Sequence, residues 1–143
     1  MERLTYVLRF NKPSAGDAAA TTAPGTVVTT SLGPDGVRSD FAPIDGGLAT
    51  LDLTYTQNGD QTLFFEWGTL TFDDERKSSL TFSSIGAGTI GPADIDGFQH
   101  GTVMYSVDSG SGQFDGATGL ITSNFLVNGD TLIDTHLGII RLP

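Results

Sequence analysis

The chain has 143 residues, 19 of them glycine, no cysteine, and 17 acidic side chains against 7 basic ones, for a formal charge of −10. This length suits one domain around a single core, and residues 1–143 are expected to form one unit. No Lys or Arg occurs from Ser78 to Ile140. The clustered basic side chains that nucleic acids and anionic membrane surfaces require are therefore missing, and neither is expected as a partner.

Without cysteine there are no disulfides, no thiol catalysis and no Cys-ligated metal. The opening Met1–Phe10 has no long apolar run, and no segment approaches the roughly 20 apolar residues of a membrane span. A soluble, cytoplasmic protein is the expectation.

Residues 3–11 alternate, with Leu4, Tyr6, Leu8 and Phe10 on one face and Thr5, Val7, Arg9 and Asn11 on the other. Period 2 predicts a strand. Residues 12–25 are small and polar between prolines and predict a loop or arm. A short strand follows over 26–32, then a turn at Gly33-Pro34-Asp35-Gly36. A short strand or extended edge over 37–43 leads to another turn at Asp45-Gly46-Gly47.

Leu48–Thr56 alternates again. Asn58-Gly59 is a strong hairpin signal, and Thr62–Phe72 is a long apolar and aromatic strand. After a charged turn at 73–77 comes a strand over 78–84, and then a glycine-rich loop from 85. The loop 85–99, with four glycines and no periodicity, is the expected lid. Strands are predicted over 101–108, 120–127 and 131–141, the last two joined by the hairpin signal Asn128-Gly129. Many short strands with turn signals and almost no helix predict a sandwich or an up-and-down barrel.

Several motifs weigh lightly. Gly86-x-Gly88-x-x-Gly91 has the spacing of a dinucleotide loop, but Pro92 and polar residues follow where that chemistry needs a helix N-terminus. Asp94-x-Asp96-Gly97 lacks the remaining ligands of a calcium loop. The two histidines, His100 and His136, are too few for a usual metal centre, and no metal or other cofactor is expected. Asp134 and His136 share one strand face, which leaves a Ser-His-Asp arrangement open, though no Ser sits in a strand-to-helix elbow.

Glu66 stands apart because it interrupts the aromatic run Leu63-Phe64-Phe65-Glu66-Trp67. Either it faces solvent while Phe65 and Trp67 face in, or it is buried and must find a partner or take up a proton. Arg9 poses the same question on the first strand. If both point inward, they neutralise each other inside an apolar interior.

The stretch Tyr105–Pro143 carries the most distinctive pattern. Its centre, Ser109-Gly110-Ser111-Gly112-Gln113-Phe114-Asp115-Gly116-Ala117-Thr118-Gly119, crowds glycines around one Phe. Such density belongs where the backbone turns tightly, and the lone aromatic is expected to fold back over a core. The chain then ends in Leu142-Pro143. The glycine loop, the strands after it and the terminal Leu-Pro resemble the allene oxide cyclase barrel superfamily, which also holds the dirigent proteins. The match covers roughly the last quarter of the chain.

The resemblance implies an eight-stranded antiparallel up-and-down barrel with little or no helix and an apolar cavity. It also implies a cofactor-independent cyclase or isomerase acting on a hydrophobic small molecule, and a homodimer or homotrimer. Aligned on the first strand, a glutamate of the plant enzymes falls at Arg9 and an asparagine at Asn11, so a fatty-acid epoxide is not the expected substrate. Glu66 and Arg9 are the expected catalytic groups, with Asn11, Tyr55, Trp67, Tyr105 and Asn124 around the substrate. The competing expectation is a non-catalytic, dirigent-like or ligand-holding barrel.

Overall fold

A computed structural model describes residues 2–13, 21–34 and 36–143, with the backbone alone for 12, 13, 21–32 and 37–48. The chain is nearly all β. Nine strands occur among the described residues: β1 (Glu2–Pro13), β2 (Thr21–Gly33), β3 (Gly36–Gln57), β4 (Leu63–Phe72), β5 (Ser79–Ser84), β6 (Gly88–Pro92), β7 (Gln99–Ser111), β8 (Thr118–Val127) and β9 (Thr131–Leu142). One 3-10 turn, Gly112–Phe114, stands between β7 and β8.

Every pairing is antiparallel. The strands follow the order β3-β2-β1-β9-β8-β7-β5-β4-β6, and further pairings of β3 with β4 and of β7 with β6 close the sheet into a barrel. β1 and β9 pair along their whole length, from Glu2↔Leu142 to Pro13↔Thr131. The final strand thus seals the barrel against the first, leaving neither as a bare edge.

β2 and β3 are longer than their hydrophobic patterns suggest. β2 already begins at Thr21, inside the expected loop; the rest of that loop, residues 14–20, lies outside the described residues. β3 runs straight through Asp45-Gly46-Gly47. Its pairing with β2 passes from Pro24↔Leu48 to Thr26↔Pro43, so the glycines serve a bulge, not a turn.

The expected lid is also partly strand. Within it, β6 pairs with β4 at Leu63↔Thr89 and Phe64↔Gly88, and with β7 from Thr89↔Thr102 to Pro92↔Gln99. β5 lies between the same two neighbours, pairing with Trp67–Thr71 of β4 and with Tyr105–Ser111 of β7. The two short strands run in the same direction and are separated only by Ile85, Gly86 and Ala87.

Inward positions follow from the alternation. Tyr6, Leu8 and Phe10 of β1, Leu80 and Phe82 of β5, Tyr105 of β7, and Ile121 of β8 are all at most 1% exposed. Four inward glycines each sit opposite an aromatic residue on the neighbouring strand: Gly138↔Tyr6, Gly88↔Phe64, Gly68↔Phe82 and Gly101↔Phe125. At Gly138, Gly88 and Gly101 the ring lies where a Cβ would be; at Gly68 that place is taken by the backbone carbonyl of Asp52, with the Phe82 ring 3.2 Å away. Backbone replaces side chain as the surface on which the ring packs.

One end of the barrel is stoppered by the glycine-rich loop. Phe114 turns inward, 2% exposed, and packs on Phe72 with ring centroids 5.0 Å apart. Gly112 and Gly116 take φ of +64° and +72°, a conformation natural to glycine. The loop is pinned by Ser78, whose Oγ accepts from Gln113 N–H at 2.9 Å and donates to Asp74 Oδ2 at 2.6 Å. A Cβ at Gly116 would stand 2.8 Å from Pro143 Cγ, so the loop also closes on the chain's last residue.

Candidate functional site

Polar side chains gather on the inner face of β4, β7, β8 and β9. Glu66 points inward, because Phe64, Gly68 and Leu70 share its face of β4, and it is part-buried. The Tyr105 hydroxyl donates to Glu66 Oε2. The Ser84 hydroxyl clamps the backbone at the same residue, accepting from Glu66 N–H at 2.6 Å and donating to Glu66 O at 2.7 Å.

Next to this pair lies a second one. Ser123 Oγ donates to Asp134 Oδ1 at 2.6 Å, and His136 Nε2 meets Asp134 Oδ2 at 3.0 Å. Ser123, Asp134 and His136 are all buried, and aromatic rings surround the imidazole, with Phe10 and Tyr105 at 5.1 and 5.9 Å between centroids. Among the described residues, His136 Nδ1 and the Tyr6 hydroxyl find no hydrogen-bond partner. Tyr6 and His136 are diagonal neighbours across β1 and β9, whose directly paired residues there are Tyr6↔Gly138 and Leu8↔His136.

This is not a nucleophilic triad. The Ser123 hydroxyl bonds to the carboxylate of Asp134 and not to the imidazole, so the base that would activate it is out of line. The arrangement is instead a buried acid–imidazole pair beside a buried acid–phenol pair. Burial raises the pKa of Glu66, and the charge of Asp134 adds to the rise; the bond from Tyr105 and the nearby His136 oppose it. Burial and the adjacent Glu66 likewise push the Tyr105 hydroxyl far up, while a hydrogen bond with Ser123 pulls the other way. Both groups are thus biased toward their neutral, proton-carrying forms.

The seven expected site residues divide. Glu66 and Tyr105 are brought together inside the barrel. Tyr55 is paired opposite Glu66 on β3 but is 56% exposed. Arg9 is on the outer face, exposed and opposite Thr135, because the alternation that turns Tyr6, Leu8 and Phe10 inward must turn Arg9 out. The expected Arg9–Glu66 pair does not form, and Tyr105 takes the place of the arginine. Asn11, Trp67 and Asn124 are exposed too, by the same alternation on β1, β4 and β8.

Ser123 escaped the sequence reading, although a signal for it exists. Counting back from a two-residue turn at Gly129-Asp130 sets Ser123 opposite His136, which is the observed register. Among the described residues no group of His, Asp and Glu is arranged to hold a metal ion, and no helix is long and apolar enough to cross a membrane. Comparison of the chain with protein-family models, curated proteins and solved structures gave no match to any of them.

Proposed function

We propose that this protein is a cofactor-independent isomerase or cyclase for a hydrophobic small molecule, built as an eight-stranded up-and-down barrel in which β5 and β6 form one interrupted stave. We further propose kinship with the allene oxide cyclase barrel superfamily. What supports kinship is that its two marker segments meet: Gly116 of the glycine loop lies against Pro143 of the terminal Leu-Pro.

The observation that carries the activity is the Glu66–Tyr105 pair in an apolar interior. A carboxyl whose pKa is raised by burial holds its proton to higher pH than a free one and can serve as a proton donor. Tyr105 donates to Oε2, which leaves the carboxyl proton to Oε1. From there it is delivered to a carbonyl, ether or epoxide oxygen of a bound substrate, a contribution of roughly 10²- to 10⁴-fold. The conjugate carboxylate, still held by Tyr105, takes a proton back from carbon as the new bond pattern forms. No atoms are gained or lost, so an isomer is the product. Enclosure adds rate by holding the chain in a near-attack conformation.

The test is conversion without change of mass. Wild-type protein is incubated with a library of apolar ketones, epoxides and polyenes, and products of unchanged mass but altered retention are sought. At least one such product is expected, and Glu66→Gln and Tyr105→Phe should abolish it while still binding the substrate. If the wild type binds library members without converting any, the catalytic reading falls and the ligand-holding, dirigent-like role replaces it.

A further inference from the structure

The barrel wall is interrupted beside Glu66. β5 pairs with β4 from Trp67 onward and β6 pairs with Leu63 and Phe64, so Phe65 and Glu66 have no ladder partner on that side. The same gap falls on β7 between Thr102, paired with β6, and Tyr105, paired with β5. Ile85, Gly86 and Ala87 cross it; Ile85 N–H donates to Met104 O at 2.8 Å on one side, the Ser84 hydroxyl bridges to the Glu66 backbone on the other, and Gly86 has φ of +71°. Bulged breaks of this kind recur next to active sites, where they open a sheet or re-aim a side chain.

The outside of the gap is apolar. Leu63, Phe65 and Trp67 alternate on the outer face of β4, and all three are at least 40% exposed, as are Ile85 and Met104. Five large hydrophobic side chains left in water around one point mark a binding surface. Their cross-strand neighbours are the hydroxyl residues Thr54, Thr56 and Ser83, and no cation lies among them. The fixed acids beside this surface are Asp108, which accepts from Ser83 Oγ at 3.0 Å, and Asp52, diagonal to Trp67 across β3 and β4. An anionic ligand would be repelled here and a neutral one would not.

We propose that this patch is the outer half of the ligand site. A neutral molecule with an extended apolar chain lies along Phe65, Trp67, Ile85 and Met104, and its oxygen-bearing end passes sideways through the wall at residues 85–87 to Glu66 and Tyr105. The end of the barrel that Phe114 stoppers offers no way in, and the gap lies directly beside Glu66. The occupant is a small molecule and not a second copy of the chain, because the apolar side chains flank a break in the wall that leads inward to Glu66 and Tyr105. This inference rests on Glu66 and Tyr105 being the reacting groups.

Trp67 is the only tryptophan, so its fluorescence reads the patch directly. The probe is 2-undecanone, a neutral ketone with a long apolar chain, compared with undecanoate at neutral pH. A saturable change in Trp67 emission is expected with the ketone, with undecanoate at least tenfold weaker. Ile85→Asp and Phe65→Asp, both at exposed positions, should weaken ketone binding tenfold or more, while Leu120→Asp, exposed on β8, leaves it unchanged. Melting curves establish that each variant is folded.

No saturable change, or a change indifferent to Ile85→Asp, overturns the inference. So does emission that depends on protein concentration in the wild type but not in Ile85→Asp, which would mean that a second copy covers the patch. Binding that follows this pattern in a protein that converts nothing would remove the catalytic reading and leave the site in place. Turnover unaffected by Ile85→Asp would remove the lateral route and leave the catalytic reading.

Discussion

Asp134 and His136 stand two residues apart on one strand and meet side chain to side chain at 3.0 Å, with His136 wholly buried. A strand normally sends i and i+2 side chains out in parallel, and the carboxylate here leans along the strand to reach the ring. Its other oxygen is held by Ser123, so Asp134 is the hinge of a three-residue cluster.

Removing that hinge leaves two buried groups without partners. Asp134→Ala is expected to destabilise the fold by about 3–5 kcal/mol. The double variant Asp134→Ala/His136→Phe should lose less than the sum of its single changes, because no bare imidazole remains. Urea denaturation of the four proteins checks this. A cycle that closes additively would mean that the two side chains are energetically independent.

Glu66 gives the fold a pH dependence of definite sign. Its carboxyl pKa is raised by burial, so between the ordinary carboxyl range and the raised folded value the native state holds a proton that the unfolded chain has released. Stability then falls as pH rises through that window and is level above it. Glu66→Gln, uncharged at every pH, should lack this decline. Melting temperatures of the two proteins are expected to lie close together in mild acid and to diverge toward alkaline pH, with the wild type lower. Parallel curves would contradict a raised Glu66.

Gly138 and Gly91 offer a contrast in backbone packing. A Cβ at position 138 would run into the ring of Tyr6, whereas at Gly91 nothing lies within 4 Å. Gly138→Ala is expected to cost about 1–3 kcal/mol from overpacking, and Gly91→Ala should fall within about 0.5 kcal/mol of wild type. Chemical denaturation measures both.

Phe114 tests the stopper. Phe114→Ala should destabilise by about 3–5 kcal/mol. Because the ring closes the end far from Ile85–Ala87, the variant, if folded, should still bind 2-undecanone. Trp67 fluorescence at a temperature well below the variant's melting point decides the matter.

Much of the fold was legible because a half-buried strand prints its geometry as alternation. Tyr6, Leu8 and Phe10 were readable as inward from spacing alone, and the inward turn of Phe114 from the glycines around it. What escaped was set by partners far away in sequence. Asp45-Gly46-Gly47 reads as a turn, yet β2 pairs on both sides of it and makes it a bulge. Arg9 alternates with the inward Leu8 and Phe10 and so faces out, which leaves the charge pairing expected of it with Glu66 unmade. Glu66 was suspect from its aromatic neighbours, but its partner, Tyr105, is 39 residues away, and only the closure of the barrel joins them. The break at 85–87 was invisible because it exists only relative to β4 and β7.

The rings seated on glycines also answer how a barrel without a single disulfide keeps its strands from sliding. Each of Tyr6, Phe64 and Phe125 fits only where the facing residue lacks a side chain. A slip by one residue would turn the ring to the wrong face, and a slip by two would drive it into a side chain. These three pairs lie on different strand junctions, β1–β9, β4–β6 and β7–β8, and so act as detents distributed around the circumference. The stagger of the staves, and with it the distance across the interior from Glu66 to Tyr105, is set by where the sequence omits a side chain.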